Sequence, residues 1–183
     1  MRSLDASLLA CCAMALAAGQ SVDPGISIVK DFEKRVADYV SMQKTIQGEV
    51  HGLKPTNSAD AITQHEHRLA RRIREARRTA MQGNIFTPAI EAEFQRLIGL
   101  TMKGPEAGPI RESLQHSGPL APRAIRVNAS YPAATPLQST PPSLLLNLPI
   151  LPAGLEYRLV GNALILRDRE ANLIVDFIPN AIP

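Results

Sequence analysis

ADAITQHEHRLARRIREARRTAMQ, residues 59–82, is the stretch from which the rest of the chain can be read. Ile62, Glu66, Leu69, Ile73, Ala76 and Ala80 recur at three- and four-residue steps, so they share one face of a helix. Strong helix formers fill the gaps, and neither Pro nor Gly interrupts before Gly83. Ser58 is the expected N-cap, and Gly83-Asn84 the expected left-handed stop. The stretch is therefore predicted to be the longest helix. It also holds six arginines between Arg68 and Arg78. With Ile73 facing the core, Arg68, Arg71, Arg74 and Arg78 fall on the far side, at about 100° per residue. These four are the candidates for contact with an anionic partner, although most charge runs are only solvated faces.

The residues before this stretch repeat the helical pattern. Val29, Phe32, Val36, Tyr39, Gln43, Ile46 and Val50 alternate steps of three and four, an a/d seam of about three heptads. Asp31 and Arg35 are spaced for an i,i+4 ion pair. Gln43 is the polar member of this seam, as Glu66 is of the next. The connector His51–Asn57 contains Gly52 and Pro55, and its shortness favours antiparallel neighbours. The two helices thus read as a coiled-coil-like hairpin, a surface fit for a protein partner or a homodimer. A third helix follows, capped by Thr87 with Pro88 at its first position. Phe86, Ile90, Phe94, Leu97 and Ile98 form its apolar stripe. Residues 26–102 are read as this three-helix region.

Residues 104–154 hold ten of the fifteen prolines, which forbids a long helix or a central strand there. Arg111 to His116 is read as one or two further helical turns. Gly118 to Thr140 reads as an extended polar linker, and SLLLNLPIL, residues 143–151, as an apolar strap lying extended over the hairpin. The period then changes to two. Residues 155–178 divide into three strands, with Gly161-Asn162 as a two-residue hairpin turn and Asp168–Ala171 as a polar turn. Leu173, Val175 and Phe177 fall on one face of the last strand, and Ile174, Asp176 and Ile178 on the other. The expected fold class is α+β: a helical hairpin, a third helix, a proline-rich strap and a small three-stranded antiparallel meander. So small a sheet needs a layer packed on it.

The start of the chain, MRSLDASLLACCAMALAAGQS, has a secretory layout: Arg2, an apolar run Ala6–Ala18, and small residues around Ala17 and Ala18. Residues 1–18 are read as a signal peptide whose removal would also remove Cys11 and Cys12, the two cysteines of the chain. The expectation is a periplasmic or secreted chain without thiols and without a transmembrane segment in its mature form. Lipid attachment at Cys11 is the lesser alternative. The net charge of +3 is too mild for a dedicated nucleic-acid binder. Aromatic residues make up 4% of the chain and Trp is absent, so an aliphatic core is expected.

Catalytic signatures are sparse. Nucleophile-elbow, P-loop and dinucleotide motifs are absent. His65 and His67, two residues apart, point to opposite sides of a helix. A metal site built from His51, His65 and Glu66 is the weaker reading, and no metal or other cofactor is expected. Glu156, Asp168, Glu170 and Asp176 cluster in the last block. Asp176 interrupts an apolar strand, where Arg158 or Arg167 is its expected partner. A small hydrolase using these carboxylates is a third-ranked possibility.

HRLARRIREARRTAMQGNIFTP, within residues 65–88, and PAGLEYRLVGNALILRDREANLIVDFIPNAIP, residues 152–183, resemble a group of small, signal-bearing bacterial proteins of no assigned function. The resemblance implies export from a bacterial cell and carries no catalytic residue. The function expected from the whole sequence is non-enzymatic binding or assembly in the cell envelope. The alternative is electrostatic binding of a lipid headgroup, polysaccharide or nucleic acid through the arginine helix.

Overall fold

The computed structural model describes residues 23–50, 57–105, 107–115, 125–131 and 142–182, with the side chains of residues 113–115 and Pro142 left out. The signal-like start with both cysteines, the connector residues 51–56 with His51, and much of the proline-rich stretch lie outside the described residues. The order of elements is α1 (Pro24–Val50), α2 (Ala59–Ala76), α3 (Pro88–Thr101), α4 (Ala107–Gln115), α5 (Pro142–Leu145), β1 (Leu155–Val160), β2 (Ala163–Asp168) and β3 (Leu173–Ile178). Helices and an antiparallel sheet of order β1-β2-β3 make an α+β fold with a C-terminal meander.

Helix α1 begins where Asp23 caps it: its carboxylate accepts a hydrogen bond from the Gly25 N–H at 2.9 Å. At 27 residues it is longer than α2, which has 18. Phe32, Val36, Tyr39, Gln43 and Ile46 are its buried residues, five consecutive members of the heptad seam. The seam does not face a single partner helix. It is shared among α2, α3 and the sheet, so the coiled-coil reading gives way to a globular core.

Helix α2 ends at Ala76, well before Gln82, and Arg77 closes it with φ −110° and ψ 28°. Gly83 does take positive φ, at 88°, but within the loop that follows. Three contacts fix how α1 and α2 run. Glu49 meets Arg72, Tyr39 lies under Arg77, and Arg35 bonds the Asn84 carbonyl. As one number falls the other rises, so the pair is antiparallel. In this register the first turns of α2 overshoot α1, and Ile62 is left 47% exposed. The buried face of α2 is Leu69, Ala70 and Ile73, and Ala76 is exposed.

Thr87 caps α3, accepting from the Ile90 N–H, with Pro88 at the first helical position. The scarce aromatic residues gather at one point. Phe32 packs on Phe94 with ring centroids 4.8 Å apart, Phe86 meets Phe94 edge-on at 5.2 Å, and Tyr157 closes the group from β1. The centre of the core is therefore aromatic, with aliphatic side chains around it. Each such pair adds about 0.5–1.5 kcal/mol beyond its burial.

Gly161 takes φ 57° and Asn162 a negative φ, which matches a type II′ hairpin turn between β1 and β2. Leu164, Leu166 and Leu173 face the helices, whereas Ile165 and Ile174 face away. Strand β3 departs from strict alternation. Arg167 pairs with Ile174 and Leu166 with Asp176, so Val175 is the extra residue of a bulge. Past it the two faces exchange: Ile178 enters the main core, and Phe177 joins the outer cluster of Tyr131, Val160, Ile165 and Ile174. Residues 125–131 run beside β3, with the Asn128 N–H donating to the Ile174 carbonyl and the Ile174 N–H to the Ala129 carbonyl. They cover the β3 edge and the outer face of the sheet.

The strap opens as a single helical turn, α5, resting on α3. Leu144 and Leu148 are buried, but Leu146 is 83% and Ile150 94% exposed. The run is thus anchored by Leu144 and Leu148, four residues apart, instead of lying wholly against the helices.

Candidate functional site

The six arginines of the α2 region divide into three groups. Arg72 joins Glu49 at 2.6 Å and Glu75 at 3.0 Å, exposed pairings that water and salt screen. Arg74 and Arg77 turn toward the sheet. Arg74 donates to the Asn128 carbonyl at 2.9 Å and the Ser130 hydroxyl at 2.7 Å. Arg77 donates to the Asn128 side-chain oxygen at 3.1 Å and the Val175 carbonyl at 2.9 Å. The Asn128 amide returns a bond to the Arg77 carbonyl at 2.8 Å, and its backbone takes φ 64°, a conformation Asn tolerates. Arg68, Arg71 and Arg78 are exposed, with no hydrogen-bond or ion-pair partner among the described residues. Of the four candidates for anion contact, Arg74 is therefore engaged inside the fold, and three remain free on the surface.

Arg77 also lies over the Tyr39 ring, 5.1 Å from its centroid. Burial lowers the pKa of its guanidinium, a shift opposed by Tyr39, Asp176 and Asp168. Tyr39 in turn donates to an Asp168 oxygen at 2.7 Å. The Gln43 amide donates to the same oxygen at 2.9 Å, which explains the polar seam position. The other Asp168 oxygen accepts from the Glu170 and Ala171 N–H groups at 2.9 and 3.0 Å. Asp168 is fully buried, so this turn acid is a node joining α1 to the sheet.

Tyr39 provides a pH test. Burial raises its pKa above the ordinary 10.0, and the charge of Asp168 and its hydrogen bond raise it further, against a smaller opposing effect of Arg77. The folded state then holds the proton more tightly than the unfolded chain. Its contribution to stability is complete below pH 10 and declines as pH rises above it. One such proton is worth about 1.4 kcal/mol per pH unit. Urea unfolding of Tyr39→Phe is expected to show an alkaline decline shallower by about that slope. An unchanged slope would mean that Tyr39 ionises without cost in the fold.

Asp176 does not pair with Arg158 or Arg167. Both arginines go to Glu156, at 2.8 Å each. Burial pushes the Glu156 carboxyl up, but the bonds from Arg158 and Arg167 outweigh it and hold the pKa below the ordinary range. Asp176 is instead filled by backbone donors. The Ile85 and Phe86 N–H groups reach one oxygen at 2.7 and 2.9 Å, and those of Gly83 and Phe177 reach the other at 3.1 and 2.9 Å. The bulge at Val175 aims this carboxylate at the loop. Glu170, the last of the four acids, accepts from the Gln47 amide. Among the described residues, no group of three or more His, Cys, Asp or Glu side chains lies close enough to hold a metal ion. No helix among them is long and apolar enough to cross a membrane.

An open apolar groove of about 510 Å³ lies between α1, α3 and the strap. Ile26, Val29, Leu97 and Leu148 line it, with Lys30, Glu33, Glu93 and Arg96 at its rim. A second groove, of about 430 Å³, lies across the strap, beside Leu155 and Tyr157 of β1. The strap is the ridge between the two grooves, with Leu146 in the wall of the first and Ile150 in the wall of the second. The run SLLLNLPIL was noticeable in the sequence, but its exposed part was not, because apolarity alone does not say which residues find a floor. Comparison with family models, curated proteins and solved structures finds no match to this chain.

Proposed function

We propose that the chain is an exported bacterial protein of the cell envelope that acts by assembly, through contact between copies, and not by catalysis. The observation that carries this reading is the ridge with Leu146 and Ile150, 83% and 94% exposed, flanked by two apolar grooves. Knob and hole on one surface form a self-complementary pair, as a two-fold contact requires. The groove rim carries both signs of charge, Lys30 and Arg96 with Glu33 and Glu93, which suits a copy of itself better than a partner of one sign. The carboxylates named for a hydrolase support the same reading, because Asp168 and Asp176 are buried and filled with donors.

The test is sedimentation of the mature chain, recovered from the envelope fraction with its N-terminus near Ala18. A dimer is expected, and Leu146→Asp combined with Ile150→Asp should weaken it by about a hundredfold or more. Burying each such side chain is worth about 1.5–3 kcal/mol. A wild-type chain that stays monomeric at high concentration would end the assembly reading, and recovery of intact Met1 on a cytoplasmic chain would end the export reading.

A further inference from the structure

The arginines of α2 were one group in the sequence and are three in the fold. Arg72 of α2 sits on carboxylates, as do Arg35, Arg96, Arg158 and Arg167 elsewhere among the described residues. Arg74 and Arg77 are held by Asn128, Ser130 and Val175. Arg68, Arg71 and Arg78 stand apart from both patterns: they are exposed, share the outward side of α2 and its exit, and have no acid partner among the described residues. Glu75 lies on the same side, but it is bonded to Arg72. The fold adds one more cation. Arg126, also exposed, lies two residues before the Asn128 that Arg74 and Arg77 grip, so residues 125–131 bring it to the flank of α2.

An apolar side chain stands at the C-terminal end of this basic surface. Met81, 71% exposed, follows Arg78 by three residues. A hydrophilic polyanion gives such a side chain nothing to enter. A bilayer interface does, because it offers phosphate outside and acyl chain beneath. Guanidinium is suited to the phosphate part, since its planar fork binds two oxygens at once.

We infer that the outward side of α2, with Arg68, Arg71, Arg78 and Arg126, is a docking surface for anionic phospholipid headgroups. The basic groups provide attraction over a Debye length, and Met81 enters the interface. This surface is separate from the Leu146–Ile150 ridge and does not depend on assembly through it.

The test uses the full mature chain and two kinds of vesicle: phosphatidylcholine alone, and phosphatidylcholine mixed with phosphatidylglycerol. Wild type is expected to co-sediment with the mixed vesicles at low salt, to leave them as salt rises, and to ignore the neutral ones. Arg68→Gln, Arg71→Gln and Arg78→Gln together should lower the partition coefficient about a hundredfold. Gln keeps helix propensity, and none of the three side chains holds the fold, so the unfolding midpoint should stay at the wild-type value. Met81→Ser should weaken vesicle binding several-fold and leave retention on a heparin column unchanged. Equal binding to neutral vesicles would overturn the proposal, as would mixed-vesicle binding untouched by the triple change. Arginine-dependent retention on heparin without vesicle binding would also overturn it, and would assign the surface to a polyanion.

Discussion

Asp176→Ala is expected to remove about 4 kcal/mol of unfolding free energy, measured by urea titration. Four N–H groups converge on this side chain, and those of Ile85 and Phe86 are bonded to it in the buried interior. A buried donor left without its acceptor costs about 1–3 kcal/mol. Two such donors therefore account for most of the expected loss. The Gly83 and Phe177 groups sit nearer solvent, where water replaces the carboxylate at smaller cost. A domain of this size has about 5–15 kcal/mol in all, so the variant sits near its threshold. Asp176→Asn should be damaging too, because its amide –NH₂ would face N–H groups that need an acceptor. The consequence is local before it is global. Residues 83–86 carry the chain from α2 to α3 and seat Phe86 on Phe32, so the aromatic centre should loosen first. A loss below about 1 kcal/mol would show that the loop is held by packing and that the carboxylate is dispensable.

Asp176 also marks where the sequence stops being legible. An acid inside an apolar strand looks for a cation if charges are what is counted, and Arg158 and Arg167 were the cations at hand. The fold answers with backbone donors, which every sequence has and none displays. The same bulge shifted the face of Phe177 and Ile178, because one inserted residue reverses a period of two. Helix α2 was overextended for a related reason. Arg77 and Arg78 are good helix formers, but Arg77 reaches Asn128 and Val175, contacts 51 and 98 residues away in the chain. Tertiary bonds therefore decide where the helix stops. Residues 125–131 went unread as a partner of β3 because prolines flank them and the pairing is with a distant strand. The parts that were legible depend on neighbours in the chain. The α1 seam follows from spacing, the Thr87-Pro88 start from capping, and the β1–β2 hairpin from Gly161-Asn162. Of the surface features, the arginine run could be seen as a run. Its division into fold-holding Arg74 and Arg77 and free Arg68, Arg71 and Arg78 required the position of Asn128.

Asp168→Ala should be about as costly as Asp176→Ala, and a double-mutant cycle can resolve how its partners act. One oxygen takes the Tyr39 hydroxyl and the Gln43 amide from α1; the other takes the Glu170 and Ala171 N–H groups of the β2–β3 turn. Removing the carboxylate strands the buried Tyr39 hydroxyl, the Gln43 amide and the Ala171 N–H, for an expected loss of about 3–5 kcal/mol in urea unfolding. Tyr39→Phe alone should cost about 1–2 kcal/mol, since it takes away a donor from an acceptor that still has three others. The double variant is expected to be more stable than the two single losses imply, by about 1 kcal/mol or more. Once the carboxylate is gone the hydroxyl is a liability, and the Tyr39→Phe change relieves it. Coupling of that sign requires the bond between α1 and the sheet to exist in solution. Losses that simply add, within about 0.5 kcal/mol, would mean that Tyr39 and Asp168 act independently. The Tyr39 hydroxyl would then contribute nothing to the polar bonds that join α1 to the meander.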